Sequence, residues 1–83
     1  MDCFVFDIYV PALMQSFDVR VPKDIYLYQA ISLISEALEK YTDGVFRASD
    51  DSVLCHKENG LMLNVNSTPV ELGLVNGTQL ILI

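Results

Sequence analysis

Two closely spaced segments of alternating apolar residues near the N-terminus restrict the fold of this chain more than any other feature. In each segment every second side chain is apolar, which is the period of a β-strand with one buried face. The residues assigned to the buried face are Phe4, Phe6, Ile8 and Val10 in the first segment, and Phe17, Val19 and Val21 in the second. The short link Pro11 to Gln15 and the closing Pro22 favour an antiparallel hairpin.

A helix is predicted from Tyr26 to Tyr41, because apolar residues recur there at helical spacing. The predicted core stripe is Leu27, Ile31, Ile34, Leu38 and Tyr41, and a second apolar row beside it is Tyr26, Ala30, Leu33 and Ala37. We predict Asp24 as the N-cap and Gly44 as the left-handed residue that ends the helix.

The C-terminal half contains three further predicted strands. They are Ser52 to Lys57, Leu61 to Asn64 and Thr78 to Ile83, and the turn signals Asn59-Gly60 and Asn76-Gly77 precede the last two. The order β-β-α-β-β-β predicts an α+β fold, a mixed sheet with one helix packed across one face. The first and last strands are expected to pair in parallel at the centre of that sheet.

This layout resembles ubiquitin and its relatives over nearly the whole chain. The hairpin, the helix and the closing motif VELGLVNGTQLILI carry the resemblance, with Leu74, Gly77, Leu80 and Leu82 in the Gly-x-x-Leu ending. Pro69-Val70 departs slightly from the pattern. The resemblance implies a single ubiquitin-like β-grasp domain over residues 1–83.

Among small bacterial β-grasp proteins the chain looks most like the YukD/EsaB group. These are cytoplasmic ubiquitin-like accessory proteins of type VII (WXG100) secretion in Gram-positive bacteria. The resemblance implies a protein-binding module whose partners include membrane or ATPase components of a secretion machine. The group has no catalytic motif, so it implies no active-site residue.

The charge balance argues against nucleic acid and anionic lipid as partners. The formal net charge is −6 and no two basic residues are adjacent, whereas both ligands require clusters of Lys and Arg. No apolar stretch approaches the about 18 residues of a membrane span, and Asp2 and Asp7 interrupt any secretory signal. We therefore expect a soluble cytoplasmic protein without direct membrane insertion.

No set of residues predicts catalysis, a cofactor or a metal site. Cys55 and His56 are adjacent on a predicted strand, so their side chains point to opposite faces and cannot form a nucleophile pair. Cys3 and Cys55 have neither zinc spacing nor a disulfide framework. Asp50 and Asp51 are interpreted as a solvated loop, because two adjacent carboxylates supply too few calcium ligands. We expect a protein that is not an enzyme.

The C-terminal residues Leu80 to Ile83 lie in a predicted strand and contain no Gly-Gly. Conjugation and sulfur transfer by ubiquitin-like proteins need a flexible diglycine tail that reaches an activating enzyme. We therefore expect a non-conjugated protein. The alternative is a sulfur carrier or modifier made from a longer precursor.

The predicted functional surface is the sheet face that points away from the helix. Its residues are Val5, Tyr9, Leu54, His56, Ile81 and Ile83. The ubiquitin strand order 2-1-5-3-4 would gather the aliphatic members at the sheet centre, as a site for a protein partner. One alternative is a set of scattered exposed aliphatics, which is common. Another is a structural homodimer through this face or the second helix row.

Overall fold

The computed structural model describes residues 2–46 and 52–83, which form four β-strands and one α-helix. In chain order the elements are β1 (Cys3–Val10), β2 (Gln15–Pro22), α1 (Leu27–Tyr41), β3 (Leu54–His56) and β4 (Gln79–Leu82). The predicted loop carboxylates Asp50 and Asp51 lie outside the described residues. Within these ranges we find no helix with the length and apolar character that a bilayer span requires.

The sheet has the strand order β2-β1-β4-β3, with β1 and β4 at its centre. β1 pairs antiparallel with β2 and parallel with β4, and β4 pairs antiparallel with β3. The parallel pairing of the first and last strands confirms the predicted topology. The order also leaves β2 as an edge of the sheet.

The predicted strand Leu61–Asn64 is reduced to a single β-bridge between Cys55 and Met62. The chain then leaves the sheet, because the Asn64 Oδ1 accepts a hydrogen bond from the Asn66 amide at 2.9 Å. This side-chain bond makes an Asx turn, which competes with a strand ladder. The predicted short fourth strand is therefore present only as this bridge.

The core lies between one face of the sheet and α1. Its strand members are Phe6, Ile8, Val10, Val19, Val21, Leu54, Leu80 and Leu82, and its helix members are Leu27, Ala30, Ile34 and Leu38. The strand members alternate along β1 and β2, as predicted. The helix stripe differs from the prediction, because Ala30 is buried whereas Tyr41 is 60% exposed. Tyr41 lies at the edge of the core, where its ring stacks on Phe17 at 6.1 Å.

α1 begins at Leu27, and its N-cap is Tyr26 rather than the predicted Asp24. The Gln29 Oε1 accepts a hydrogen bond from the Tyr26 amide at 3.0 Å. The Leu27 amide donates to the Ser67 carbonyl at 2.9 Å. The Tyr28 amide donates to the Val65 carbonyl at 3.1 Å. Because a distant loop supplies these acceptors, the first turn is satisfied without an acidic cap.

The end of α1 is held by side-chain and backbone bonds together. Gly44 has a φ of +82° and is left-handed as predicted, but it is not the first residue after the Thr42 C-cap: that position is Asp43, which is also left-handed with a φ of +51°. The Gly44 amide donates to the Glu39 carbonyl at 2.8 Å. The Thr42 Oγ1 donates to the Leu38 carbonyl at 2.8 Å and accepts from the Phe46 amide at 3.0 Å. The chain therefore turns sharply as it leaves the helix.

Candidate protein-interaction site

One row of side chains crosses the sheet face that points away from α1. Tyr9 pairs with Ile81 between β1 and β4, Ile81 pairs with Cys55 between β4 and β3, and Cys55 bridges to Met62. Directly paired residues project to the same face of a sheet. The flanking residues of β1 and β4 are buried against α1, so this row faces outward.

Two further residues extend the apolar surface beyond this row. Val53 and Ile83 each donate an amide hydrogen bond to the carbonyl of the other, at 3.0 Å in both directions. By alternation they share the face of Cys55 and Ile81. Ile83 is 67% exposed and Val53 is half-buried. We call the combined surface the outer apolar patch: Tyr9, Val53, Cys55, Met62, Ile81 and Ile83, of which Cys55 is only 6% exposed.

Polar side chains of both charge signs border the outer apolar patch. The Lys57 Nζ lies 5.3 Å from the centroid of the Tyr9 ring, within the range of a cation–π contact. The Asp7 Oδ2 accepts a hydrogen bond from the Gln79 Nε2 at 3.4 Å. An apolar centre with a polar rim is the usual anatomy of a protein–protein interface.

Tyr9, Ile81 and Ile83 lie on the outer face as predicted, whereas Val5 lies at a distance from them. The parallel register pairs Tyr9 with Ile81, and Val5 is four residues earlier, about 13 Å along β1. Val5 is instead paired with Arg20 of β2. The predicted cluster of Val5 with the two isoleucines is therefore wrong.

β3 has the opposite phase from the predicted one. Leu54 pairs with Leu82 and is 1% exposed, so it belongs to the core. His56 pairs with the buried Leu80 and is half-buried on the same side. The prediction that Leu54 and His56 face outward is wrong, because pairing with two core leucines turns Cys55 outward instead.

Three members of the outer apolar patch, Val53, Cys55 and Met62, are absent from the sequence prediction. Both alternating sets of segment 52–57 contain apolar and polar side chains, so alternation alone leaves the phase of this strand open. The turn signal Asn59-Gly60 does indicate a hairpin, and that hairpin brings Met62 beside Cys55. The position of Met62 beside Cys55 was therefore predictable from the sequence.

The rival surface is the second apolar row of the helix, and only part of that row is exposed. Ala30 is fully buried in the core, whereas Leu33 is 41% exposed. Tyr26 is exposed at the helix start, where its ring stacks on Tyr28 with centroids 5.6 Å apart. Part of the row is thus core, and the remainder lies along the side of α1.

The reactive side chains on the sheet are separated by its two faces. Cys55 faces outward with Ile81 and His56 lies on the core side with Leu80, as the alternation of adjacent strand residues predicts. Within residues 2–46 and 52–83, no three His, Cys, Asp or Glu side chains are grouped to hold a metal ion. Cys3 and Cys55 are free thiols. The outer apolar patch presents apolar contact area, bordered by polar side chains, to a ligand.

No protein-family model matches the chain, and no curated protein matches it. Several solved structures are similar to it. The EccD5 ubiquitin-like domain from Mycobacterium xenopi has a TM-score of 0.80 and 17% identity, over 100% of this chain and 94% of that one. The ubiquitin-like domain of the Mycobacterium tuberculosis type VII secretion protein EccD1 has a TM-score of 0.77 and 16% identity, over 100% and 99%. A protein designed on ubiquitin has a TM-score of 0.69 and 18% identity, over 99% and 88%.

These similarities establish the fold. The chain has a ubiquitin-like β-grasp fold, with a mixed sheet and one helix packed across it, as its sequence predicts. Two of the three structures are ubiquitin-like domains of type VII secretion components. None of them is a YukD/EsaB protein, so the finer resemblance stays a prediction.

Proposed function

We propose that this chain is a ubiquitin-like protein-binding module of a type VII secretion system. The observation that supports this proposal is the similarity of the whole chain to the two EccD ubiquitin-like domains, with TM-scores of 0.80 and 0.77. In this role it acts by binding rather than by catalysis. As in the YukD/EsaB group that its sequence resembles, we place it in the cytoplasm as an accessory of the secretion machine.

The binding surface in this proposal is the outer apolar patch. Tyr9 and Met62 belong to residue types that are enriched in protein interfaces, and Ile81 lies at the centre of the row. The net charge of −6 opposes binding to phosphate groups. The partner we infer is therefore a protein surface with an aliphatic centre and a polar rim, such as a membrane or ATPase component of the machine.

Affinity purification from the native host at its natural expression level tests the proposal. The unmodified chain should recover type VII secretion components, and Ile81→Asp should lose them, because a carboxylate would be desolvated at the centre of the interface. Val70→Asp is the matched control, since Val70 is 57% exposed on a turn outside the patch.

Thermal unfolding of both variants shows whether each remains folded. Recovery of no secretion ATPase, membrane subunit or WXG100-type protein would contradict the secretion role. Equal recovery by the unmodified chain and by folded Ile81→Asp would contradict the outer apolar patch as the binding surface.

A further inference from the structure

β2 is a long strand with one unpaired side. It spans eight residues, Gln15–Pro22, and pairs with β1 along its whole length, while no strand in the described part of the chain pairs with its other side. Proteins usually protect such an edge with charged side chains, a bulge, a short strand or a proline. The register here runs without a bulge, and Pro22 is the last residue of the strand.

The backbone groups on that free side belong to Ser16, Asp18 and Arg20. The Asp7 amide donates to the Thr78 carbonyl at 3.0 Å, so the odd-numbered residues of β1 direct their backbone groups toward β4. The even-numbered residues of β1 therefore bond to β2, where the register pairs them with odd-numbered residues. The even-numbered residues of β2 point their amides and carbonyls away from the sheet.

Asp18 on this edge has a like-charged neighbour within the sheet. Asp18 lies directly opposite Asp7 in the β1–β2 pair, and like charges in directly opposed positions are destabilising. Asp18 and Arg20 are both exposed and project from the same face, two residues apart. A cation brought to the open side of Asp18 would relieve the repulsion between the two carboxylates.

We propose that two copies of this chain pair edge to edge through β2, antiparallel, about a two-fold axis at Val19. In this register Asp18 of each copy lies opposite Arg20 of the other. Both pairs use residues whose backbone groups already point outward, so each forms two ladder hydrogen bonds. The result is a continuous sheet of eight strands across the two copies.

Charge selects this register over its neighbours. Shifting one β2 strand by two residues relative to the other, in one direction, places Asp18 opposite Asp18 of the second copy. Shifting it in the other direction places Arg20 opposite Arg20 of the second copy. Both alternatives oppose like charges directly, whereas the register centred on Val19 forms two opposite-charge pairs. This self-complementarity is the argument for a second copy, rather than an unrelated peptide, as the occupant.

An apolar ridge of the helix borders the same edge. Leu33, Ala37 and Tyr41 are spaced four residues apart, so they lie on one side of α1. Tyr41 stacks on Phe17 of β2, which places this ridge beside the free strand. A two-fold axis perpendicular to the sheet puts both helices on one side of it. The ridges then approach each other, and Leu33 and Tyr41, which are exposed in the single chain, contribute apolar burial.

Sedimentation equilibrium with charge-reversal variants tests the proposal. The unmodified chain should dimerise below about 1 mM. Asp18→Arg and Arg20→Asp should each weaken the dimer by at least about tenfold, because each turns two opposite-charge pairs into like-charge pairs. An equimolar mixture of the two variants should dimerise again, since every pair between the two chains is then of opposite charge.

Weakening by both single variants is specific to the register centred on Val19, since the neighbouring registers place position 18 or position 20 opposite itself and keep like charges there in either variant. Restored pairing in the mixture then shows that these positions attract each other across the interface. Glu58→Arg is the matched control, with the same charge change on the turn after β3, and it should leave the dimer unchanged. Both β2 positions are exposed, and Asp18→Arg removes the like charge opposite Asp7, so the variants should remain folded.

Hydrogen exchange gives a second measurement. The amides of Asp18 and Arg20 should be protected in the unmodified dimer and exposed in either variant alone, while the amide of Val19 stays protected in all samples. An unmodified chain that is monomeric at about 1 mM would overturn the proposal. So would a dimer that both variants leave unchanged, or two monomeric variants that fail to pair when mixed. None of these outcomes decides whether the outer apolar patch binds a secretion component.

Discussion

Asn76 joins the last turn of the chain to the first strand. Its Oδ1 accepts a hydrogen bond from the Val5 amide at 2.7 Å, and the Gly77 amide donates to the Val5 carbonyl at 2.8 Å. Both bonds lie immediately before the parallel β1–β4 pairing begins at Asp7 and Gln79. The side chain of Asn76 therefore positions the start of β4 beside β1.

Replacing Asn76 should destabilise the fold more than replacing the other asparagine of an Asn-Gly turn. Asn76→Ala leaves the Val5 amide without its side-chain acceptor and should lower the free energy of unfolding by about 1–2 kcal/mol. Asn59 bonds only to the Leu61 amide two residues away, so Asn59→Ala should cost less than about 0.5 kcal/mol. Urea unfolding measures both, and equal losses would contradict the role given to Asn76.

The phase of β3 can be tested at two neighbouring positions. Leu54→Ala should lower the free energy of unfolding by about 3 kcal/mol, because it removes buried methyl groups and leaves a cavity. His56→Ala should cost less than about 1 kcal/mol, since the imidazole is half-buried at the edge of the core. If Leu54→Ala lowered the free energy of unfolding no more than a substitution at an exposed position does, the strand would have the opposite phase.

At the scale of elements, the start of α1 depends on a distant part of the chain. The first amides of the helix bond to carbonyls of segment 65–67, and the Gln29 side chain accepts from the Tyr26 amide. Helix periodicity and the glycine stop are local properties, and both were predictable from the sequence. The acceptors at the helix start are nonlocal, which explains why Asp24 was assigned a capping role that it does not have.

This arrangement predicts a contrast between two exposed polar residues near the helix start. Gln29→Ala removes the acceptor of the Tyr26 amide and should cost about 0.5–1 kcal/mol of unfolding free energy. Asp24→Ala should cost no more than about 0.3 kcal/mol, which is the remaining interaction of its charge with the helix dipole. Chemical denaturation of the two variants beside the unmodified chain provides the comparison. A larger loss for Asp24→Ala would restore it as the cap.

At the scale of the whole molecule, the sheet presents two separate surfaces. The outer apolar patch lies across β1, β4 and β3, whereas the free edge lies along β2. The two proposals use different surfaces, so together they predict that the domain binds a partner and a second copy at the same time. The two surfaces serve different chemistry, apolar contact on the face and backbone hydrogen bonding at the edge.

Single variants should separate the two surfaces. We expect Ile81→Asp to lose the captured partner but keep the dimer, and Asp18→Arg to weaken the dimer but keep the partner. Pull-down and sedimentation of the same two samples measure this. Loss of the dimer in folded Ile81→Asp would instead favour the alternative of a homodimer through the sheet face.

The expected absence of conjugation is tested by mass. Protein isolated from the native host under denaturing conditions should carry no thiocarboxylate and no isopeptide bond to another protein. A longer chain processed to a diglycine end, or a thiocarboxylate, would support the sulfur-carrier or modifier alternative. Mass spectrometry of the intact protein distinguishes these forms.

Local periodicity was sufficient for the order of the elements, for the buried faces of β1, β2 and β4, and for much of the helix core. In these segments one alternating set is clearly more apolar than the other, so burial selects the face without knowledge of any partner strand. The outward positions of Tyr9, Ile81 and Ile83 followed from the same pattern. Three of the six residues of the outer apolar patch were thus predictable from the sequence.

The remaining features depended on contacts between residues far apart in the sequence. Both phases of β3 have similar apolar content, so its pairing with Leu80 and Leu82 was needed to place Leu54 on the helix side of the sheet and Cys55 on the other side. The register between parallel strands is likewise nonlocal, and it separated Val5 from Ile81. Alternation specifies which residues of a strand share a face, whereas strand pairing specifies which face that is and which neighbours they meet.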